Sequence, residues 1–251
     1  MSLTPYLHLD VDLTVVTEGD AVAVSEAERH HLRKVLRLTE GAAVVVADGG
    51  GIHAAAELRA DGLVLTATPV AVPPPTPRLV LAQVLPKGRK LDEVVRQATE
   101  LGVDEVRILT SQRCVVRLPA DRAERARQRW EAVARAAAEQ ARRAHRPPLT
   151  GPISLDRLGR DDELLLIAHP AAPGLPTALG MLPGGAPGAG TLVLAIGPEG
   201  GFTDTEVAAV VTSGGLAVGL GSTVLRTEHA GAAGLAVLAA LCGRWGTGAP
   251  V

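Results

Sequence analysis

Leu194-Ala195-Ile196-Gly197-Pro198-Glu199-Gly200-Gly201-Phe202 and Leu220-Gly221-Ser222-Thr223-Val224-Leu225-Arg226-Thr227-Glu228 are the stretches on which the reading of this chain turns. Each carries a short apolar run straight into a glycine-bearing turn. Glycine adopts backbone angles closed to other residues and lets main-chain N–H and C=O groups approach a ligand closely. Two such turns at the ends of neighbouring strands build one pocket, and in open α/β sheets ligands bind there.

The surrounding pattern agrees. Strands are predicted at Arg78–Leu85, Val103–Thr110, Glu163–Ala168, Thr191–Ile196 and Leu216–Val218. Helices are predicted at Lys90–Leu101, Asp121–Arg143, Thr203–Thr212 and His229–Leu241. Thr203 and Glu206 have capping-box spacing, and the long helix stops before Pro147-Pro148. This alternation predicts an α/β domain with a mostly parallel sheet covered by helices.

Pro73-Pro74-Pro75-Thr76-Pro77 separates that region from a different one. Prolines this dense favour an extended spacer, so the division expected is residues 1–72, a linker at 73–77, and residues 78–251. Before the linker, β-type runs are read at Val11–Val16, Ala21–Val24, Ala42–Ala47, His53–Leu58 and Leu63–Ala67, interrupted by one helix from Ser25 to Leu38. These predict a small β-barrel or sandwich with one helix.

Composition bounds the function. The 251 residues are 47% hydrophobic but only 2% aromatic, so Val, Leu, Ile and Ala must build the core. Two cysteines, Cys114 and Cys242, give no disulfide framework and suit a reducing cytoplasm. The N-terminus Met1-Ser2-Leu3-Thr4-Pro5 has neither early positive charge nor an apolar run, so no secretory signal is expected. Residues 164–198 carry no formal charge, yet proline and glycine break up their middle, which argues against a membrane span. Net charge is −2, but Ser111–Arg146 holds ten arginines against four acids, which leaves −8 for the rest. A basic patch of this kind suits a polyanionic partner; equally, Glu131 with Arg135, Glu139 with Arg143 and Asp121 with Arg125 are helix-supporting i,i+4 pairs.

Several devices are absent. Pro86-Lys87-Gly88-Arg89-Lys90 lacks the spacing and hydroxyl of a nucleotide-binding P-loop, and Gly219-Leu220-Gly221 lacks the third glycine of a dinucleotide fingerprint. No nucleophile elbow occurs. Adjacent His30 and His31 with two distant cysteines make no metal site.

The two glycine turns resemble the paired cofactor loops of the SPOUT methyltransferases, and most closely those of the RsmE family, which methylates N3 of a uridine in 16S ribosomal RNA. His31-Leu32-Arg33-Lys34-Val35-Leu36-Arg37, Lys90 to Gly102 with Glu100-Leu101-Gly102-Val103, Ser111-Gln112-Arg113-Cys114, and Glu139-Gln140 with Arg143 and Pro147 fall in that family's order. The resemblance implies a PUA-like RNA-binding domain followed by a SPOUT domain with a deep trefoil knot. It also implies S-adenosylmethionine bound in the knot loops, a homodimer with each pocket near the partner subunit, no metal, and the small ribosomal subunit as partner.

Carried onto this chain, the cofactor-binding residues are His169, Ile196, Gly197, Pro198, Glu199, Gly200, Gly201, Leu220, Gly221, Leu225 and Thr227. Glu199 is read as a helix cap or loop hydrogen-bonder, and His169 as either structural or pocket-lining. Deprotonated uridine N3 spreads charge onto O2 and O4, which a fixed cation stabilises. Arg226 is the catalytic candidate, with an ion pair to Glu228 as its bland alternative. His229 stands where the family has threonine, either as a proton acceptor or as a polar helix start. Trp130 is read as core or dimer packing. RNA contacts are expected from Arg33, Arg37, Lys87, Arg89, Arg113, Arg117 and Arg143. A related SPOUT enzyme acting at another RNA position, or a non-catalytic RNA-binding assembly factor, remain the alternatives.

Overall fold

The computed structural model describes residues 4–116, 118–159, 162–182, 184–185 and 190–245. The chain divides into two compact units between Pro74 and Pro75, and Ala138–Arg146 groups with the N-terminal unit.

The N-terminal unit is a six-stranded mixed sheet made from β1 (Tyr6–His8), β2 (Ala21–Val22), β3 (Ala43–Ala47), β4 (Ile52–Arg59), β5 (Gly62–Leu65) and β6 (Val70–Ala71). Its order is β1-β3-β4-β5-β2, with β6 on β4. Leu7, Leu9, Leu13, Val22, Val44, Val46, Ala54, Ala56, Leu58 and Leu63 form its core. The strand expected at Val11–Val16 is instead a 3-10 turn at Leu13–Val15, because the Asp12 carboxylate accepts the Thr14 N–H at 2.9 Å.

The expected helix from Ser25 to Leu38 is shorter and changes character. A reciprocal Ser25–Glu28 capping box starts α1 (Glu26–His30). A π-helical turn follows at His31–Val35, and Arg37, at φ +55°, ends it in the left-handed region. Residues 138–146 are held to this unit by specific bonds: the His8 N–H donates to Glu139 Oε1 at 2.9 Å, His8 Nε2 meets the Arg143 carbonyl at 2.8 Å, and Arg142 Nη1 donates to the Thr4 carbonyl at 2.6 Å.

The second unit contains β7 (Arg78–Val84), α2 (Lys90–Glu100), β8 (Glu105–Thr110), α3 (Ala120–Gln140, whose last turn joins the other unit), β9 (Leu149–Ser154), β10 (Glu163–Ala168), α4 (Leu175–Gly180), β11 (Thr191–Ile196), α5 (Asp204–Thr212), β12 (Leu216–Val218) and α6 (Thr227–Leu241). The sheet order is β12-β10-β11-β7-β8-β9, and every pair is parallel. Sequence reading missed β9 and α4. β9 holds Pro152, and it sits at the sheet edge, where proline removes no needed ladder bond.

Side chains alternate across this sheet as a period of two requires. Leu79, Leu81, Leu192, Leu194 and Leu166 face one side, packed with Leu91, Val94, Val95 and Ala98 of α2, Trp130 of α3 and Leu235 and Leu238 of α6. Val80, Ala82, Val84, Val193, Ala195 and Ile167 face the other, against Leu155, Phe202 and Val210. Trp130 is thus a core residue, 3% exposed. None of the described helices is long and apolar enough to cross a membrane.

The amino-terminal edge of the sheet carries a buried ion cluster. Arg107 donates to both oxygens of Glu105 (2.9 and 3.1 Å) and both of Glu163 (2.8 and 2.6 Å). The hydrogen bonds it donates to Glu163 lead the forces that hold this guanidinium charged, against the cost of its burial. Replacing it takes the guanidinium from the buried Glu163 carboxylate, while Glu105 keeps Arg78 at 3.6 Å and the Thr150 hydroxyl at 3.2 Å. Arg107→Met therefore lowers unfolding stability by about 3–5 kcal/mol, measurable as a reduced midpoint in urea; an unchanged midpoint would show that the carboxylates are relieved by water.

Candidate functional site

The opposite, carboxyl-terminal edge of the same sheet opens into a cavity of about 740 Å³. Loops after five strands supply its wall. β10 leads into Ala168–Pro170, β11 into Gly197–Phe202, and β12 into the turn from Leu220 to Glu228. Lys90, in the first turn of α2, and Arg113, after β8, complete it.

Both turns take shapes that need glycine. A Cβ on Gly197 would lie 3.1 Å from the Gly201 carbonyl carbon and the Phe202 nitrogen, because the Gly201 N–H returns to the Pro198 carbonyl at 2.8 Å. Gly201 and Gly221 have φ of +67° and +117°, in the region L side chains avoid. Gly219 anchors the second turn: its N–H donates to the Pro173 carbonyl (2.7 Å), and its carbonyl accepts from Leu175 (2.8 Å).

Polar bonds lock the turns to each other and to the sheet. Thr227 Oγ1, at the start of α6, donates to the Gly197 carbonyl at 2.7 Å and accepts from Gln83 Nε2 at 3.1 Å. Gln83 is fully buried on β7, opposite Ile196. Arg113 Nη1 donates to the carbonyls of Gly200 (2.9 Å) and Phe202 (3.3 Å), so this arginine braces the first turn. The Gln112 N–H meets Glu206 Oε1 at 2.9 Å, while Glu206 also completes the Thr203 capping box. Helix capping thus falls to Thr203 and Glu206, and the cap reading of Glu199 is corrected: its carboxylate faces Lys90 Nζ (3.6 Å) and the Lys87 N–H (3.4 Å).

Lys90 Nζ also meets Glu228 Oε2 at 3.1 Å. Both carboxyls are held below the ordinary glutamate range. For Glu228 its own backbone N–H is the main cause, with help from Lys90. For Glu199 partial burial works the other way, but backbone N–H groups and the two lysines prevail. Since Lys90 takes Glu228, the alternative pairing of Arg226 with Glu228 does not form. Arg226 is exposed on the cavity wall and has no hydrogen-bond or ion-pair partner among the described residues. His169 Nδ1 accepts the Ala171 N–H at 3.3 Å, which leaves its ring hydrogen on Nε2.

The cavity therefore gathers His169, Ile196, Gly197, Pro198, Glu199, Gly200, Gly201, Leu220, Gly221, Leu225 and Thr227 together with Arg226. Sequence reasoning missed Lys90 and the buried Gln83, which only the long-range fold brings in, and it named Glu228 only as an alternative partner for Arg226. Of the residues expected to touch RNA, Arg33 and Arg37 are exposed and Arg143 is half-buried in the N-terminal unit. Arg33 Nη2 binds the carbonyls of Arg59 (3.0 Å) and Ala60 (3.1 Å). Lys87 and Arg89 are exposed on the loop after β7, and Arg117 lies outside the described residues. His229 is exposed and does not line the cavity. No group of His, Cys, Asp or Glu among the described residues is arranged to hold a metal ion.

Comparison with known proteins supports one family throughout. A model described as an RNA methyltransferase domain matches residues 73–239, and one described as an RNA methyltransferase PUA domain matches residues 24–62. Ribosomal RNA small subunit methyltransferase E of Mycobacterium tuberculosis is 33% identical over 243 residues, covering 92% of this chain and 91% of that protein. Its Bacillus subtilis counterpart is 30% identical over 226 residues, covering 86% and 88%. The crystal structure of the Neisseria gonorrhoeae protein of that name, bound to S-adenosyl methionine, superposes with a TM-score of 0.80 at 26% identity, covering 95% of this chain and 98% of the other. A Legionella pneumophila methyltransferase in complex with the same cofactor gives a TM-score of 0.79 at 28% identity, covering 96% and 98%. Sequence, domain content and fold agree over most of the chain, and the chain belongs to the ribosomal RNA small subunit methyltransferase E family of RNA methyltransferases.

Proposed function

We propose that this protein transfers the methyl group of S-adenosylmethionine to N3 of a uridine in the 16S ribosomal RNA of the small subunit. The observation that carries the reading is the single cavity in which both glycine turns and the unpaired Arg226 meet. The cavity fits such a donor. Ile196, Leu220 and Leu225 supply apolar surface for a flat base, and the turns supply main-chain polar groups. Bound there, the donor supplies an electrophilic methyl group on a sulfonium sulfur.

The chain's own residues then have defined tasks. His169, Ile196, Gly197, Pro198, Glu199, Gly200, Gly201, Leu220, Gly221, Leu225 and Thr227 hold the donor. Loss of the N3 proton puts negative charge on the two flanking carbonyl oxygens of uracil. The Arg226 guanidinium stabilises that charge. Arg33, Arg37, Lys87, Arg89 and Arg143 contact RNA phosphates, and the target base leaves its stack to reach the cavity. Arg113 is better supported as the brace of the first turn than as a phosphate ligand, given its bonds to Gly200 and Phe202. The protein works as a homodimer; Val237 and Leu241, exposed apolar residues one turn apart on α6, support a partner there. A ribosomal RNA substrate implies action in the cytoplasm.

Arg226→Ala lowers kcat on unmodified small subunits by about 10²–10³-fold while donor affinity, read by calorimetry, stays within a few-fold. Nucleoside analysis that still finds 3-methyluridine forming at the wild-type rate would remove the charge-stabilising role. Arg37→Ala weakens RNA binding and lowers the slope of log affinity against log salt by about one; an unaltered slope takes that residue out of the interface.

A further inference from the structure

Three cations line the cavity: Lys90, Arg113 and Arg226. Arg113 is committed to carbonyls of the first turn, and Lys90 to Glu199 and Glu228. Arg226 alone of the three has no partner among the described residues, although Glu228 follows it by two positions and lines the same wall. The Glu228 side chain is 10% exposed, so water can do little to compensate its charge. The cation it meets is Lys90, 3.1 Å away, from a helix distant in sequence.

We propose that Lys90 is a positioning residue for methyl transfer: by engaging Glu228 it keeps that carboxylate from neutralising Arg226, which leaves the guanidinium free for the uracil oxygens. The inference rests on the Arg226 reading above and deepens it. Without Lys90, the nearly buried Glu228 lacks a counter-ion, and the long Arg226 side chain swings onto it. An arginine bound to a carboxylate has little left to give to charge developing elsewhere. The second contact of Lys90, with Glu199 at 3.6 Å, holds the ammonium over the gap between the two turns. The ion pair with Glu228 is thus set by the α2 register and by both turns at once.

The test is a double-mutant cycle on the full-length protein, with small subunits lacking the modification and radiolabelled S-adenosylmethionine. Lys90→Ala is expected to lower kcat about tenfold, a part of what Arg226 supplies, with the KM for donor changed less than threefold. Lys90→Arg, which keeps the charge, retains most activity. The diagnostic is the background. Once Glu228→Gln is present, removing Lys90 costs no further kcat, and in the Arg226→Ala protein it likewise costs little. A purely structural lysine would lower kcat and thermal stability by the same factor in every background. If Arg226→Ala is impaired while Lys90→Ala loses as much activity with Glu228→Gln as without it, Arg226 keeps its role and this inference is overturned. If Arg226→Ala is fully active, the reading of Arg226 falls and the inference falls with it.

Discussion

The Gly197 carbonyl accepts a 2.7 Å hydrogen bond from the Thr227 hydroxyl, and the buried Gln83 amide donates to that hydroxyl in turn. This short chain of bonds crosses from the end of β7 to the start of α6 to the first glycine turn. Each participant is drawn from a different part of the sequence, and each has few alternatives. Gln83 is walled in by the core, Thr227 opens a helix, and Gly197 sits where a Cβ would meet the backbone of Gly201 and Phe202. A buried polar group without a partner is costly, so the chain resists separation of the two turns. The cavity exists because they cannot drift apart.

The parallel sheet divides its labour by direction. At its amino-terminal edge, Arg107 sits between Glu105 and Glu163, and Asp104 ties Leu79 to Arg244. Those groups are satisfied by one another and have nothing to offer a ligand. At the carboxyl-terminal edge five loops converge, and their polar groups are spent on shaping turns rather than on closing the cavity. All strands run the same way, so every loop that carries chemistry leaves on one side.

Much of this was legible from local sequence. The runs Glu163–Ala168, Thr191–Ile196 and Leu216–Val218 form strands over the residues their apolar content marks out, and both capping boxes, Ser25 with Glu28 and Thr203 with Glu206, are present. Each of these signals acts within a few residues. What escaped reading depends on long separation or on weak local preference. Lys90 meets Glu228, and Gln83 meets Thr227, only after the sheet has formed. β9 contains Gly151 and Pro152, residues that argue against a strand, yet Gly151 at φ +101° fits an irregular edge where a Cβ would lie 2.4 Å from the Ile108 carbonyl oxygen. The stretch from Ser25 to Leu38 has a helical pattern throughout, but its continuation past His30 is a π turn that no periodicity distinguishes from an α-helix.

The charges on the cavity wall follow from the same logic of long-range placement. A glycine turn offers backbone dipoles but no net charge, so any ion that acts on a ligand must come from a side chain. Glu199 and Glu228 are carried by the two turn segments themselves, and both are drawn toward Lys90 on α2. Arg113 reaches in from the loop after β8 and is spent on carbonyls. The cations that shape the cavity are thus supplied by the first half of this domain. The cation proposed for the chemistry, Arg226, stands at the N-cap of α6, the helix end whose dipole disfavours a positive charge. An arginine in that position is held by its backbone rather than by an ion pair among the described residues, as the role proposed for it requires.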